Sequence, residues 1–319
     1  MQISVLGCGR WGTFLAWYAH FCGHDVMLWG RPGSRHLRQL QETRKNEYLE
    51  LDPAVRLTDS LTEAVAFADR LIISISSQQL RALGRQLAPM EHIDQKVWIL
   101  CMKGLEIGSG KRLSQVLAEE IGQDKDIAVW VGPGHVQDFV RGIPNCMVIA
   151  AARSALSERL VEELSSSLIR FYYGGDLLGI EIGAAAKNVI GIAAGLLDGL
   201  GYSSLKGALM ARGTAELSRL VECLGGEAIT VYGLSHLGDY EATLFSRHSN
   251  NRRFGEDFVN KAVSDKLAEG VYTVQALMDL AAAHGIELPI CQAVHEIIAE
   301  GTEPKEKLLQ LFLRPVKGE

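Results

Sequence analysis

Ile3-Ser4-Val5-Leu6-Gly7-Cys8-Gly9-Arg10-Trp11-Gly12-Thr13 decides the fold. Four strand-forming positions run straight into Gly-x-Gly-x-x-Gly, and an apolar helical stretch follows from Trp11 to Phe21. In a dinucleotide-binding unit, Gly7 permits the tight turn and Gly9 lets the backbone approach a pyrophosphate. Gly12 lets the helix close on the strand, with the diphosphate at the helix N-terminus. The motif alone is common, but its context here is the expected one. A second strand, Asp25 to Trp29, ends about twenty residues further on, where an NAD-preferring fold places an acidic residue on the ribose hydroxyls. This chain has Gly30-Arg31. A guanidinium there suits the extra phosphate of NADP, being a fixed fork of donors. Solvated loop arginine is the plainer reading of Arg31.

Moving outward, β-rich runs alternate with amphipathic stretches: Arg70 to Ile75, Lys96 to Cys101, Ile127 to Val131, Cys146 to Ala151 and Ile169 to Tyr173. Alternation of this kind predicts an α/β, Rossmann-like doubly wound sheet, mainly parallel, over residues 1–177. Its strand ends should carry the binding loops: Ser76-Ser77-Gln78, Lys103-Gly104 and Gly132-Pro133-Gly134-His135. After Gly174-Gly175 the texture turns helical, which predicts a second, all-α domain over residues 178–319, with a short amphipathic helix from Lys305 to Phe312 near its end.

That second half opens with glycine at 179, 183, 191, 195 and 199, spaced by multiples of four, and Lys187 stands within the same series. An interior helix glycine costs about 1 kcal/mol relative to alanine, so the stripe needs a reason. Close helix packing is one. The other, which we expect, is a bare face open to a cofactor ring or to the other domain, with Lys187 projecting into the gap. Desolvation would then lower the lysine's pKa and fit it for proton transfer. A polar loop from Ser235 to Gly255 holds His236, Asp239, Glu241, Arg247, His248, Asn250, Asn251, Arg252 and Arg253, many of them donors to an anion. Charged loops are often just solvated surface.

Composition excludes several classes. The 319 residues carry 32 basic and 38 acidic side chains, a net charge of −6 without a basic block, which argues against nucleic acid as partner. Apolar stretches are interrupted by Lys, Asp or Gly, and a strand beginning at residue 2 leaves no room for a signal peptide, so no membrane insertion is expected. The six cysteines lack a paired C-x-x-C motif and read as reduced core thiols of a cytoplasmic protein. No metal-ligand set stands out. A homodimer is the commonest arrangement for such enzymes, although nothing in the sequence specifies it.

Ordered matches along nearly the whole chain resemble the bacterial soluble form of the NAD(P)-dependent glycerol-3-phosphate dehydrogenases. GCGRWGT is similar to the family's GxGxWGT, LWGR to its second-strand end, and KGLEIGSG to its KGxE loop. GPGH is similar to GPS/T-F, and KNVIGIAAGLLDGLG to KNVIAIAAGIxDGLG. GLSHLGDY resembles GLAGLGDL, NRRFG resembles SRNRRFG, AEGVYT resembles VEGxxT, and LRPVKGE resembles RPLKAE. The resemblance implies a Rossmann-like domain joined to a helical one, in the manner of 6-phosphogluconate dehydrogenase. It also implies NADP(H), or NAD(H), as cofactor and the reversible reduction of dihydroxyacetone phosphate to sn-glycerol 3-phosphate for phospholipid synthesis. Lys187 would exchange the proton, with Asp239 as its acidic partner. The cofactor would fall to Gly7, Gly9, Arg10, Trp11, Gly12, Arg31, Lys103, Val136, Asn250, Leu267 and Glu269. The phosphorylated substrate would fall to Lys103, Gly132, Gly134, Lys187, Asp239, Ser249, Asn250 and Asn251.

Departures from the family pattern qualify the transfer. Asn250 stands where the family has an arginine on the substrate phosphate, so Arg247, Arg252 or Arg253 would have to supply the charge; Arg252 is our candidate. Gly134 replaces a hydroxyl residue, Arg10 replaces a small polar one, and His236 and Tyr240 alter the surroundings of Asp239. Two other readings remain. A related dehydrogenase acting on another keto acid or phosphorylated ketone would share the plan but lack the GLSHLGDY…NRRFG block. A non-catalytic NADP-binding regulator would have no need of both Lys187 and Asp239. The architecture hosts all three.

Overall fold

The computed structural model describes residues 1–263 and 268–313. It divides into two compact units, Met1–Lys103 with Arg112–Leu177, and Gly104–Lys111 with Leu178–Glu319. A single boundary at 177/178 therefore has to be corrected. The eight residues after Lys103 leave the first unit and belong to the second, where Leu105 is fully buried in the core.

The first unit follows the order β1 (Gln2–Leu6), α1 (Arg10–Phe21), β2 (Asp25–Trp29), α2 (Arg35–Thr43), β3 (Arg56–Thr58), α3 (Leu61–Phe67), β4 (Arg70–Ile73), α4 (Leu80–Leu87) and β5 (Val97–Leu100). It continues with α5 (Leu113–Ile121), β6 (Asp126–Val131), α6 (Val136–Val140), β7 (Asn145–Ala151), α7 (Ser154–Leu164) and β8 (Ile169–Gly174). The strands form one eight-stranded sheet in the order 3-2-1-4-5-6-7-8. All pairings are parallel except β6 with β7. Central strands read as unbroken apolar runs because helices cover both faces of a parallel sheet. Val5, for example, is fully buried in register between Leu28 and Ile72. The reversal of strand order lies between β1 and its neighbours β2 and β4, so the β1 carboxyl end opens at the switch point where such sheets bind ligands.

In the second unit, α8 (Leu177–Gly199) is a 23-residue helix whose positions from Gly179 to Leu197 are all buried. It is followed by α9 (Lys206–Cys223), α10 (Asn250–Val259), α11 (Glu269–His284), α12 (Pro289–Glu300) and α13 (Pro304–Gln310). By length and composition α8 could cross a bilayer, but 89% of its apolar window is buried within the protein, as befits a core helix. Its mate α9 delivers Glu216 to the start of α12, where the carboxylate accepts hydrogen bonds from the backbone N–H of Ile290 (2.9 Å) and Cys291 (3.0 Å). Pro289 opens that helix, needing no partner for an N–H it lacks.

The glycine stripe turns out to be a packing device. A Cβ on Gly195 would land on the Arg252 carbonyl of α10, and one on Gly255 would land on the Ile192 carbonyl of α8, so two glycines let the helix backbones cross in near contact. Gly199 faces Val259, Gly191 faces Thr243 and Asn251, and Gly183 faces Ser235 and His236. The bare face we expected to stay open is thus filled from within its own unit. The stretch 235–255 also differs from a solvated loop. It holds a 3-10 turn (Leu237–Asp239), a π turn (Glu241–Phe245) and the start of α10, and it buries His236, Asp239, Tyr240 and Thr243. The six cysteines are free, with Cys8, Cys101 and Cys291 buried, but Cys223 is exposed rather than a core thiol.

Candidate active site

In the first unit the β1–α1 turn meets the steric demands of a nucleotide cradle. Gly7 has φ +122°, and a Cβ there would collide with the Ser74 carbonyl at the end of β4. A Cβ on Gly12 would collide with the Gly7 carbonyl. Around Gly9, by contrast, a Cβ would meet nothing within 4 Å, so this glycine leaves open space beside the first turn of α1. Gly9 is also the N-cap and brings no side-chain hydrogen bond to the helix N-terminus. Close packing at the outer two glycines and room at the middle one is the division that bound pyrophosphate requires, so these residues fit a dinucleotide.

Around that turn, Arg10 is exposed with its guanidinium 5.8 Å from the Tyr48 ring centre, and Arg31 is exposed just beyond the β2 carboxyl end. Trp11 lies against Phe14 and Phe139, with ring centres 4.9 and 6.4 Å away. Lys103, two residues past Cys101, donates from Nζ to the Gly132 carbonyl at 2.9 Å and so joins two neighbouring strand-end loops. Both loop glycines have left-handed backbones, φ +134° at Gly132 and +145° at Gly134. A Cβ on Gly134 would strike the Phe139 ring, which accounts for glycine where the family pattern has a hydroxyl residue. Val136 is buried in the core.

In the second unit the chemistry converges on α8. Lys187 Nζ lies 2.7 Å from Asp239 Oδ2 and donates to Thr243 Oγ1 at 2.7 Å, and all three side chains are buried. Thr243 Oγ1 is 3.4 Å from the other Asp239 oxygen, which closes the triangle loosely. Thr243 escaped the sequence reading, although it stands four residues after Asp239, a spacing that a helical turn converts into proximity. Next along α8, Asn188 Oδ1 accepts from Asn251 Nδ2 at 3.0 Å, and Asn251 Oδ1 accepts from the Gly270 N–H at 2.9 Å. Asn188 too went unread.

The phosphate-binding expectations fare unevenly. Ser249 is the N-cap of α10, its hydroxyl accepting from the Arg252 N–H at 3.3 Å, and Asn250 is the first helical residue, half-buried. Asn251 is spent on joining α8, α10 and α11. Arg252 points elsewhere. Its Nη1 lies 2.6 Å from Asp198 Oδ2 and 2.9 Å from Glu256 Oε2, while Nε donates to the Ser246 carbonyl at 3.1 Å. Lys206 Nζ, 2.6 Å away, shares the same Asp198 oxygen. Burial opposes ionisation of Asp198, but hydrogen bonds from Lys206, Ser203 and Arg252 outweigh it and hold its carboxyl below the usual range. This guanidinium is an anchor between α8 and α10, so the charge for a phosphate is better sought at Arg247 and Arg253, both exposed. Glu269 opens α11, half-buried, and Leu267 lies outside the described residues.

A family profile described as the NAD-dependent glycerol-3-phosphate dehydrogenase N-terminus matches residues 2–157, and one described as the C-terminus of the same enzyme matches residues 176–309. The chain belongs to the NAD-dependent glycerol-3-phosphate dehydrogenase family. Among its relatives, a "Glycerol-3-phosphate dehydrogenase [NAD(P)+]" from Chlorobium limicola is 37% identical, over 100% of this chain and 99% of that one. Another of the same name from Pelodictyon phaeoclathratiforme is 34% identical with the same coverage. A crystal structure of glycerol-3-phosphate dehydrogenase from Coxiella burnetii superposes with a TM-score of 0.91 at 28% identity, covering 98% of this chain and 99% of that chain. Family members of this kind are oxidoreductases that span the whole length of the present chain.

Proposed function

We propose that this family member reduces dihydroxyacetone phosphate to sn-glycerol 3-phosphate, reversibly, using NADPH in preference to NADH. The observation that carries the reading is the buried Lys187–Asp239–Thr243 cluster in a chain that also holds the Gly7-x-Gly9-x-x-Gly12 cradle. The bound reduced nicotinamide supplies the hydride. The chain's own residues do the rest. Lys187 gives its Nζ proton to the oxygen of the reacting carbonyl, and in the reverse direction takes it back. Asp239 keeps the lysine charged between turnovers, and Thr243 fixes the direction in which its N–H bonds point. Lys103, Gly132 and Gly134 present donors and open backbone to the substrate, and the start of α10 at Ser249, Asn250 and Asn251, with Arg247 or Arg253, receives its phosphate. Gly7, Gly9, Gly12, Arg10 and Trp11 take the cofactor diphosphate, Arg31 its additional phosphate, and Val136, Asn250 and Glu269 complete the cofactor contacts. A homodimer in the cytoplasm is the form we expect, in keeping with six free cysteines.

The test follows NADPH oxidation with dihydroxyacetone phosphate, beside NADH and beside Lys187→Ala. Turnover that prefers NADPH and falls by about 10²- to 10⁴-fold in the variant supports the assignment. Binding of NADPH without turnover of any carbonyl compound would favour the regulator instead.

A further inference from the structure

Two residues beside the lysine–aspartate couple have no place in that chemistry, yet both are fully buried and polar: His236 and Tyr240. Their bonding is closed. His236 Nδ1 lies 2.8 Å from the Gly183 carbonyl, which can only accept, so Nδ1 carries the proton. Nε2 is then an acceptor, and the Tyr240 hydroxyl donates to it at 2.6 Å. This is a neutral imidazole of one defined tautomer. The same residue grips the turn that carries Asp239, because the Asp239 N–H donates to the His236 carbonyl at 3.0 Å. Gly183 sits one helical turn before Lys187 on α8. We propose that His236 and Tyr240 are a positioning pair, which pins the Asp239 turn to the Lys187 helix and thereby sets the proton affinity of Lys187.

Three further observations support the pair. Space has been made for it at both ends, since a Cβ on Gly183 would lie 3.1 Å from the His236 Cβ and one on Gly213 would lie 3.2 Å from the Tyr240 hydroxyl. The two residues occur together: the family pattern GLAGLGDL has glycine and leucine where this chain has His236 and Tyr240, so both ends of the hydrogen bond depart at once. Burial of the ring also favours a neutral histidine. His236 faces Lys187 and Asp239, while Tyr240 faces Thr214, Glu216 and Cys291. Burial foremost, with Lys187 adding to it against the Gly183 hydrogen bond, lowers the His236 pKa to about 4.

This inference rests on the functional reading above, and its test separates the two. In the full-length protein carrying 13C at lysine Cε, the Lys187 resonance is assigned by its loss in Lys187→Arg. Its titration midpoint is then followed in the wild type, Tyr240→Phe and His236→Asn. Phenylalanine keeps the ring and loses only the hydroxyl; asparagine retains a donor for Gly183 but is too short for Tyr240. In Tyr240→Phe the midpoint should move by about half a pH unit, a threefold change in proton affinity, with the KM for NADPH unchanged. His236→Asn should reproduce the shift. A folded Tyr240→Phe whose Lys187 midpoint coincides with the wild type overturns the pair, whatever happens to its melting temperature. A moved midpoint in a protein that never turns over dihydroxyacetone phosphate upholds the pair and defeats the functional reading alone.

Discussion

Lys187 Nζ and Asp239 Oδ2 meet at 2.7 Å inside the second unit, both side chains out of solvent. Replacing Asp239 by Asn leaves the lysine buried against a neutral amide, which disfavours its charged form. If the protonated amine is the working acid, the alkaline limb of kcat/KM for ketone reduction must move to lower pH, and kcat should fall by about 10²-fold or more. A pH–rate profile of Asp239→Asn with its alkaline limb in the wild-type position would separate Asp239 from the lysine's chemistry.

Arg31 is exposed beyond the carboxyl end of β2, and we propose it for the phosphate that distinguishes NADPH from NADH. One charge-assisted fork lost to Arg31→Ala should raise the KM for NADPH by about tenfold and leave that for NADH nearly unaltered. Equal changes for the two cofactors would place Arg31 on a part of the dinucleotide common to both.

His236 also makes stability depend on pH. Its folded pKa of about 4 lies below the ordinary 6.5, so between those values the unfolded chain binds a proton that the folded chain refuses. The stability is whole above pH 6.5 and declines as the pH falls toward 4, by at most about 3 kcal/mol from this residue. Urea unfolding at pH 7 and pH 4.5 should therefore show a smaller acid loss in His236→Asn than in the wild type. An unchanged difference between the two pH values would assign the acid sensitivity to other groups.

Gly195 and Gly255 permit α8 and α10 to cross with almost no space between backbones. Gly195→Ala puts a methyl group into the Arg252 carbonyl, and neither partner is a flexible side-chain tip that can swing aside. We expect a loss of about 3 kcal/mol in chemical denaturation, at the upper end for overpacking. Gly207→Ala is the control, because a Cβ at Gly207 would meet nothing within 4 Å.

What the sequence disclosed tracks how local each signal is. The β1–α1 turn was legible because three glycines at fixed spacing each answer a separate steric need within a few residues. Strand β3 was not, since three residues, Arg56–Thr58, are too few for any periodicity to register. Lys187 and Asp239 were each singled out, but their pairing joins positions 52 residues apart and only folding brings them together. The glycine stripe was noticed and misread: spacing shows that a helix face is bare and does not show what lies on it. The engagement of Arg252 was hidden for a related reason, because an arginine in a donor-rich stretch looks available until Asp198, 54 positions earlier, is seen to hold it. The burial of His236 and Tyr240 was likewise hidden, as polar letters in a polar segment carry no mark of being inside.

The excursion Gly104–Lys111 bears on how this protein can be taken apart. The polypeptide passes between the two units three times, after residues 103, 111 and 177, so neither unit is a continuous piece of sequence. A clone ending at 177 would carry eight residues whose proper neighbours are missing, among them Leu105, while Gly110 would lose Leu280, which its Cβ would approach to 3.2 Å. A clone beginning at 178 would have a vacancy where Leu105 belongs. Recombination with a relative at the obvious junction would therefore produce mismatched halves, and a working chimera has to exchange the eight-residue insert together with the helices.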